Sequence, residues 1–431
     1  MNTNHRLLVS LILVLGFITL SFGQNIVLKQ SNESGIYKKG EKVQVSVYLK
    51  DSKPDSLTVK IRKNYSAESN TEKIACQGNT VLLLNESYDK PTALIVEVST
   101  RNESASIGLV VDPYNFTPGA ARPKDFDNYW DNEKDLLHKL PMDVKSVPVN
   151  NIEKGYTCSD IEINCTGPKS ARGYFAKPTG ASLKSLPIVL YVHAAGVKGN
   201  WCLSQPGKAM SYAKMGKGAL CVDLNAHGML NGQPQSYYDD LDKGELKDYN
   251  RFGIGARSDY YFRGMYLRLM RTLDFLTSQP EWDGKRILVI GESQGGGQAL
   301  AAAGLDKRVT AVVATVPAMC DWGATLTGGQ GGWPNPFSLG LDKAQLMASV
   351  PYFDTANLLK DSKATIVTEI GFIDVTCPST SVFAAINMSK GKKIVLGVPY
   401  RGHQLYQKEY KVLWEETVNK PKEAFIVEFL K

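Results

Sequence analysis

The chain has 431 residues, 43% of them hydrophobic and 22% charged, the balance of an ordinary globular protein with apolar material for a large core in two or three domains. Its formal net charge of +7 comes from lysines and arginines interspersed with acids, so no basic block marks it for nucleic acid and the excess favours solubility. Seven scattered cysteines, an odd number, argue against a disulfide framework.

Residues 1–23 carry Arg6 in a short basic lead, an apolar run from Leu7 to Leu20, and Ser21-Phe22-Gly23. The run is shorter than the roughly 20 residues that span a bilayer, so it reads as a secretory signal peptide cleaved after Gly23. No later stretch is long and apolar enough to cross a membrane, and the expected mature protein is secreted or periplasmic.

In residues 24–112, Val43, Val45, Val47 and Leu49 alternate with polar residues, as do Leu57, Val59 and Ile61. Val81–Leu84, Ala93–Val98 and Ile107–Val111 are further strand-like runs. Short strands at this spacing predict a small all-β, immunoglobulin-like sandwich domain. Residues 113–123, with Pro118-Gly119 and Arg122-Pro123, read as a linker.

Residues 124–431 change to alternating strands and helices. Strands are expected at 173–176, 188–193, 219–224, 286–290, 310–316, 364–370 and 393–398, and Phe262, Tyr266, Leu269, Leu273 and Leu276 mark one buried helix face. The pattern predicts an α/β-hydrolase fold, a mostly parallel sheet with helices on both faces and its chemistry at the carboxyl ends of the strands. If Cys158 and Cys165 share one extended strand they lie roughly 23 Å apart at about 3.3 Å per residue, and a bridge between them would require a hairpin that the sequence does not show.

The strand run Arg286–Ile290 leads into Gly291-Glu292-Ser293-Gln294-Gly295 and then into the helix formers Ala299–Ala303. A G-x-S-x-G between strand and helix forms a sharp turn that lifts the serine hydroxyl above the sheet, at a helix N-terminus that favours developing negative charge. Ser293 is therefore the candidate nucleophile. It needs a base, and of the five histidines only His403, in Tyr400-Arg401-Gly402-His403, follows it in the order serine, acid, histidine. His193 and His227 precede it at strand ends, and His193 reads as a hydrogen-bonded residue shaping its loop. Asp374 follows the penultimate strand and is the candidate acid, whereas Asp354 and Asp361 precede that strand and read as turn or cap residues. Oxyanion donors are expected from the backbone N–H groups of Gln294 and Ala195, the latter in His193-Ala194-Ala195-Gly196. No cysteine and histidine spacing suggests zinc, and the expected chemistry uses neither metal nor cofactor.

Asp125-Phe126 with Tyr129-Trp130, the run Gly291 to Gly297, Asp306-Lys307-Arg308-Val309, Val316-Pro317, Cys320-Asp321, Asp374 with Cys377-Pro378, and Gly402-His403 together resemble the acetyl xylan esterase and cephalosporin C deacetylase family of carbohydrate esterases. The resemblance covers roughly residues 118–431. It implies a serine esterase acting on acetylated xylo-oligosaccharides and other small acetyl esters, with Ser293, Asp374 and His403 as the triad and Ala195 and Gln294 at the oxyanion hole. It also implies a homo-oligomer, whose contacts the N-terminal unit could block or rearrange. Three departures stand out: Ala195 where the family usually has tyrosine, His227-Gly228-Met229 in place of Arg-Gly-Gln, and His403-Gln404 in place of His-Glu. The alternatives in view are a serine peptidase or an esterase for longer acyl groups on the same framework, and a carbohydrate-binding protein without activity. The intact serine, acid and histidine set speaks against the last.

Overall fold

In the N-terminal part, a computed structural model shows eight strands in two sheets: β1 (Ile26–Gln30), β2 (Ile36–Tyr37), β3 (Lys42–Leu49), β4 (Ser56–Lys63), β5 (Ser69–Ala75), β6 (Thr80–Ser87), β7 (Thr92–Ser99) and β8 (Ser104–Val111). The structure describes residues 26–50, 54–404 and 410–431, so the expected signal peptide lies outside the described residues. One sheet has the order β1-β3-β6 and the other β2-β8-β7-β4-β5. Val43, Val45, Val47 and Leu49 of the first sheet share a core with Leu57, Val59, Leu94, Val96, Val98, Leu109 and Val111 of the second, so the sheets pack face to face. The alternate residues Ala93, Ile95 and Val110, with Tyr65, turn the other way and join the main core of the chain. The larger sheet is thus covered on both faces, which is why Ala93, Leu94, Ile95 and Val96 follow one another without a polar residue.

The segment read as a linker is held against the rest of the chain by hydrogen bonds. The Asn387 side-chain amide donates to Pro113 O and Phe116 O at 3.0 Å each, and Gly119 N donates to Asp321 Oδ1 at 2.8 Å.

The rest of the chain builds a nine-stranded sheet from β9 (Lys145–Pro148), β10 (Tyr156–Ile163), β11 (Ala171–Pro178), β12 (Leu186–Val192), β13 (Leu220–Asn225), β14 (Trp282–Glu292), β15 (Ala311–Thr315), β16 (Thr365–Gly371) and β17 (Lys393–Val398), in the order 17-16-15-14-12-13-11-10-9. The six strands from β17 to β13 are parallel, and β11, β10 and β9 add antiparallel at one edge. The expected strand at 173–176 is the middle of the longer β11, while β9 and β10 were not expected.

The helices are α1 (Phe126–Lys139), α2 (Pro206–Ala213), α3 (Gln235–Lys243), α4 (Tyr261–Thr277), α5 (Gln294–Leu305), α6 (Lys343–Ser349), α7 (Thr355–Leu358), α8 (Ser379–Asn387), α9 (Lys411–Trp414) and α10 (Lys420–Phe429). Successive strand residues alternate between two cores. Ile188, Leu190, Ile287, Val289, Val312 and Ile366 meet α1, α4, α5 and α8, whereas Val189, Leu288, Ile290, Val313 and Val367 meet α2 and α10. Phe262, Tyr266, Leu269, Leu273 and Leu276 of α4 are buried in the first of these cores. All seven cysteines are free, and among the described residues no helix is long and apolar enough to cross a membrane.

Candidate active site

Strand β14 ends at Glu292 and α5 begins at Gln294, so Ser293 alone makes the turn between them. Its backbone sits at φ 53° and ψ −119°, a strained conformation for a residue with a side chain. Strand β15 and the loop after it hold it there: Ser293 N donates to Thr315 O at 2.9 Å, and Ser293 O accepts from Ala318 N at 2.9 Å. The helix must lie close against β12 for this turn to close. A Cβ on Gly295 would fall 2.3 Å from Val192 O, so only glycine fits.

The loops after β16 and β17 bring two further side chains to this turn. Ser293 Oγ lies 2.9 Å from His403 Nε2, and His403 Nδ1 lies 2.9 Å from Asp374 Oδ2. Asp374 is fully buried, and its other oxygen accepts from Thr376 N and Cys377 N at 2.8 Å each. With the carboxylate accepting on both sides, the imidazole proton belongs on Nδ1, which leaves the Nε2 lone pair facing the serine hydroxyl. Such a chain can remove the hydroxyl proton as the oxygen attacks a carbonyl. Cys377 shares the loop, but burial pushes its thiol well above the usual range, and its part here is the N–H given to Asp374.

The serine opens into a cavity of about 560 Å³ whose walls include Tyr191, Ala195, Trp201, Lys208, Trp333 and Arg401. Ala195 lines the same cavity as Ser293 and Gln294 follows Ser293 in the chain, and among the described residues neither backbone N–H has an acceptor within bonding distance. At the first turn of α5 the Gln294 N–H has no partner within the helix. A separate cavity of about 530 Å³ lies between the N-terminal sheets and the hydrolase unit, lined by Asn64, Asn70, Phe116 and Thr327 and by no member of the serine, histidine and aspartate set.

His193, which lines the same cavity, and His227 bond partners other than the serine. His193 Nδ1 bonds Trp201 O at 3.1 Å and Nε2 bonds Asp223 Oδ1, while Asp223 Oδ2 accepts from Gln205 N at 2.8 Å. Burial pushes the Asp223 carboxyl up against the opposing pull of His193. The pair ties the loop after β12 to β13, the shaping role expected of His193. His227 Nε2 donates to Gly196 O at 2.9 Å, and its Nδ1 accepts from Tyr261 Oη at 2.8 Å. Burial, helped by the nearby Arg268 charge, lowers it to about 3, so it is a neutral brace.

A buried ionic cluster under His403 had no signal in the sequence. Arg401 bonds Glu369 through Nη1, and its Nη2 lies 3.4 Å from Glu292 Oε1 and 3.5 Å from His403 O. Lys422 Nζ lies 2.8 Å from Glu369 Oε2, and Trp414 Nε1 donates to Oε1 at 2.6 Å. Burial raises Glu369, but Arg401 and Lys422 outweigh it and hold the carboxyl below its usual range. Only the place of Arg401 two residues before His403 could have pointed to it.

Residues 110–418 match the profile of the acetyl xylan esterase (AXE1) family. The chain belongs to this family. It is a carboxylic ester hydrolase, and its relatives are acetyl esterases. Acetyl esterase Axe7A of Xylanibacter ruminicola is 27% identical over 421 residues, covering 92% of this chain and 93% of that protein. The acetyl xylan esterase of Paenibacillus sp. R4 superposes with a TM-score of 0.59 at 27% identity, over 72% of this chain and 98% of that one. Acetyl xylan esterase 1 of Thermoanaerobacterium sp. JW/SL YS485 shares the fold, with a TM-score of 0.54 at 22% identity over 74% of this chain and 98% of that one. In this esterase His227 stands where the resemblance leads one to expect arginine, and it braces the Gly196 carbonyl of the loop that carries Ala195.

Proposed function

We propose that the protein is an exported serine acetylesterase that removes O-acetyl groups from acetylated xylo-oligosaccharides or related carbohydrates through an acetyl-enzyme. The observation that carries this is the unbroken chain from Ser293 Oγ through His403 to buried Asp374, with both bonds at 2.9 Å, on a strained turn at the cavity floor.

In this reading His403 Nε2 takes the Ser293 proton as Oγ attacks the acetyl carbonyl. The N–H groups of Ala195 and Gln294 receive the oxyanion, worth roughly 3–4 kcal/mol per donor in comparable sites. His403 then gives its proton to the departing sugar oxygen, and a water deprotonated by the same imidazole releases acetate. Asp374 holds the tautomer and stabilises the imidazolium. Tyr191, Trp201 and Trp333 give the cavity aromatic faces suited to a sugar ring, with Lys208 beside them. The two N-terminal sheets are read as an immunoglobulin-like domain, and residues 1–23 as the export signal.

The test is acetate release from acetylated xylo-oligosaccharides beside 4-nitrophenyl acetate and butyrate. The wild type should release sugar acetate and favour acetate over butyrate by at least about tenfold, and Ser293→Ala should lose about 10³-fold or more in turnover with its fold intact. Near wild-type hydrolysis by Ser293→Ala would overturn the mechanism, and activity on the nitrophenyl ester alone would overturn the carbohydrate substrate.

A further inference from the structure

The loops that carry Asp374 and His403 both run against the N-terminal sheets. Phe372 lies two residues before Asp374 and Pro399 four before His403. Tyr65 Oη donates to Phe372 O at 2.8 Å and lies 2.9 Å from Ser379 Oγ, at the start of α8. Gly108 N, in β8, donates to Pro399 O at 2.7 Å. The fit at Gly108 leaves no room for a side chain, because a Cβ there would fall 2.4 Å from Phe372 O.

Tyr65 reaches this place at a cost. It and Asn64 both have positive φ, 57° and 50°, rare for residues with bulky side chains. Asn64 holds the turn by pairing with Ala93, its N donating to Ala93 O and its Oδ1 accepting from Ala93 N, both at 2.8 Å. Tyr65 is buried, and burial raises its phenol far above neutrality, so it stays a donor. A strained turn that delivers one hydroxyl to one buried carbonyl, beside a backbone bond to the neighbouring loop, sets both loops at once.

We propose that the N-terminal unit serves the catalytic site through two contacts, with Tyr65 as a positioning residue that acts through the Phe372 carbonyl on Asp374, while Gly108 acts through the Pro399 carbonyl on His403. The proposal rests on Asp374 and His403 being the acid and base of the reaction. It assigns the unit a role beyond that of a spacer or a separate sugar-binding module.

The experiment compares Tyr65→Phe, Val59→Ala and Ser293→Ala with the wild-type chain on 4-nitrophenyl acetate, measuring kcat, KM, the pH profile and Tm. Val59 lies in the core between the two N-terminal sheets and touches neither loop, so Val59→Ala reports loss of stability alone. Tyr65→Phe removes one oxygen. Its kcat should fall about tenfold with KM within about twofold, because a displaced acid slows the chemistry more than it weakens binding. The acid-side limb of kcat/KM should also move to lower pH, since a loosened carboxylate stabilises the His403 imidazolium less. Val59→Ala should lower Tm and leave kcat and the pH limb unchanged. A Tyr65→Phe enzyme with wild-type kcat and pH limb overturns the positioning role while Ser293→Ala remains inactive. A kcat loss in Val59→Ala matching that of Tyr65→Phe also overturns it. An active Ser293→Ala would remove the catalytic reading itself.

Discussion

His227 keeps both ring nitrogens occupied, one donating to Gly196 O and the other accepting from Tyr261 Oη, so a proton arriving at Nδ1 would break a bond and bury a charge beside Arg268. The folded state therefore resists a proton that the unfolded chain takes up near pH 6.5. With the folded value lowered to about 3, this contribution is complete above about pH 6.5 and is lost progressively as the pH falls towards 3. Between pH 6.5 and 5 the loss is roughly 2 kcal/mol at about 1.4 per unit. Thermal unfolding at pH 7 and 5 should show the wild type losing more stability than His227→Gln, which keeps a donor but does not titrate; parallel losses would refute it. Single residues were legible where chemistry restricts the choice. Ser293 stands in a motif, and His403 is the only histidine after it. Arg401, Glu369, Lys422 and Trp414 were not legible, because the cluster joins β16, the loop after β17 and two C-terminal helices, and no local pattern records such a meeting.

Among the elements, the turn from β14 into α5 is the tightest. Gly295→Ala would drive a methyl against Val192 O and push the first turn of α5 off β12, moving Ser293 and the Gln294 N–H together. The expected result is a loss of about 1–3 kcal/mol in stability and a fall in kcat of more than about tenfold. Calorimetry and turnover on 4-nitrophenyl acetate check both, and an unchanged kcat would show that the turn tolerates displacement. The strands of this unit were legible where they are buried on both faces, as at β12, β14 and β16, whose apolar runs stand out. Strand β9 is exposed throughout, and β5 lies at a sheet edge with its charged residues in solvent, so neither carries a period-two apolar pattern. Pairing with a neighbour's backbone makes these edges strands, and hydropathy does not report pairing.

At the scale of the whole molecule, the question is whether the N-terminal sheets and the hydrolase unit unfold as one body. Tyr65, Ala93, Ile95 and Val110 belong to the main core, and Tyr65 and Gly108 bond the Phe372 and Pro399 carbonyls. The interface is therefore continuous with the interior of the hydrolase unit. The match to the Xylanibacter relative covers 92% of the chain, more than residues 110–431 alone could supply, so it extends into the N-terminal sheets. The six tryptophans supply a clean probe, since all lie between Trp130 and Trp414 and none in residues 26–111. Tryptophan fluorescence reports the hydrolase unit alone, whereas far-ultraviolet circular dichroism reports both units. If they form one cooperative body, the two signals should give one coincident urea transition. Val59→Ala, a cavity in the N-terminal core worth roughly 1–3 kcal/mol, should then shift the fluorescence midpoint as well as the dichroism, although Val59 touches no tryptophan. A fluorescence midpoint that stays in place while the dichroism splits into two steps would mean that the N-terminal unit can melt without disturbing the hydrolase. The bonds to the Phe372 and Pro399 carbonyls would then be too weak to couple the two folds.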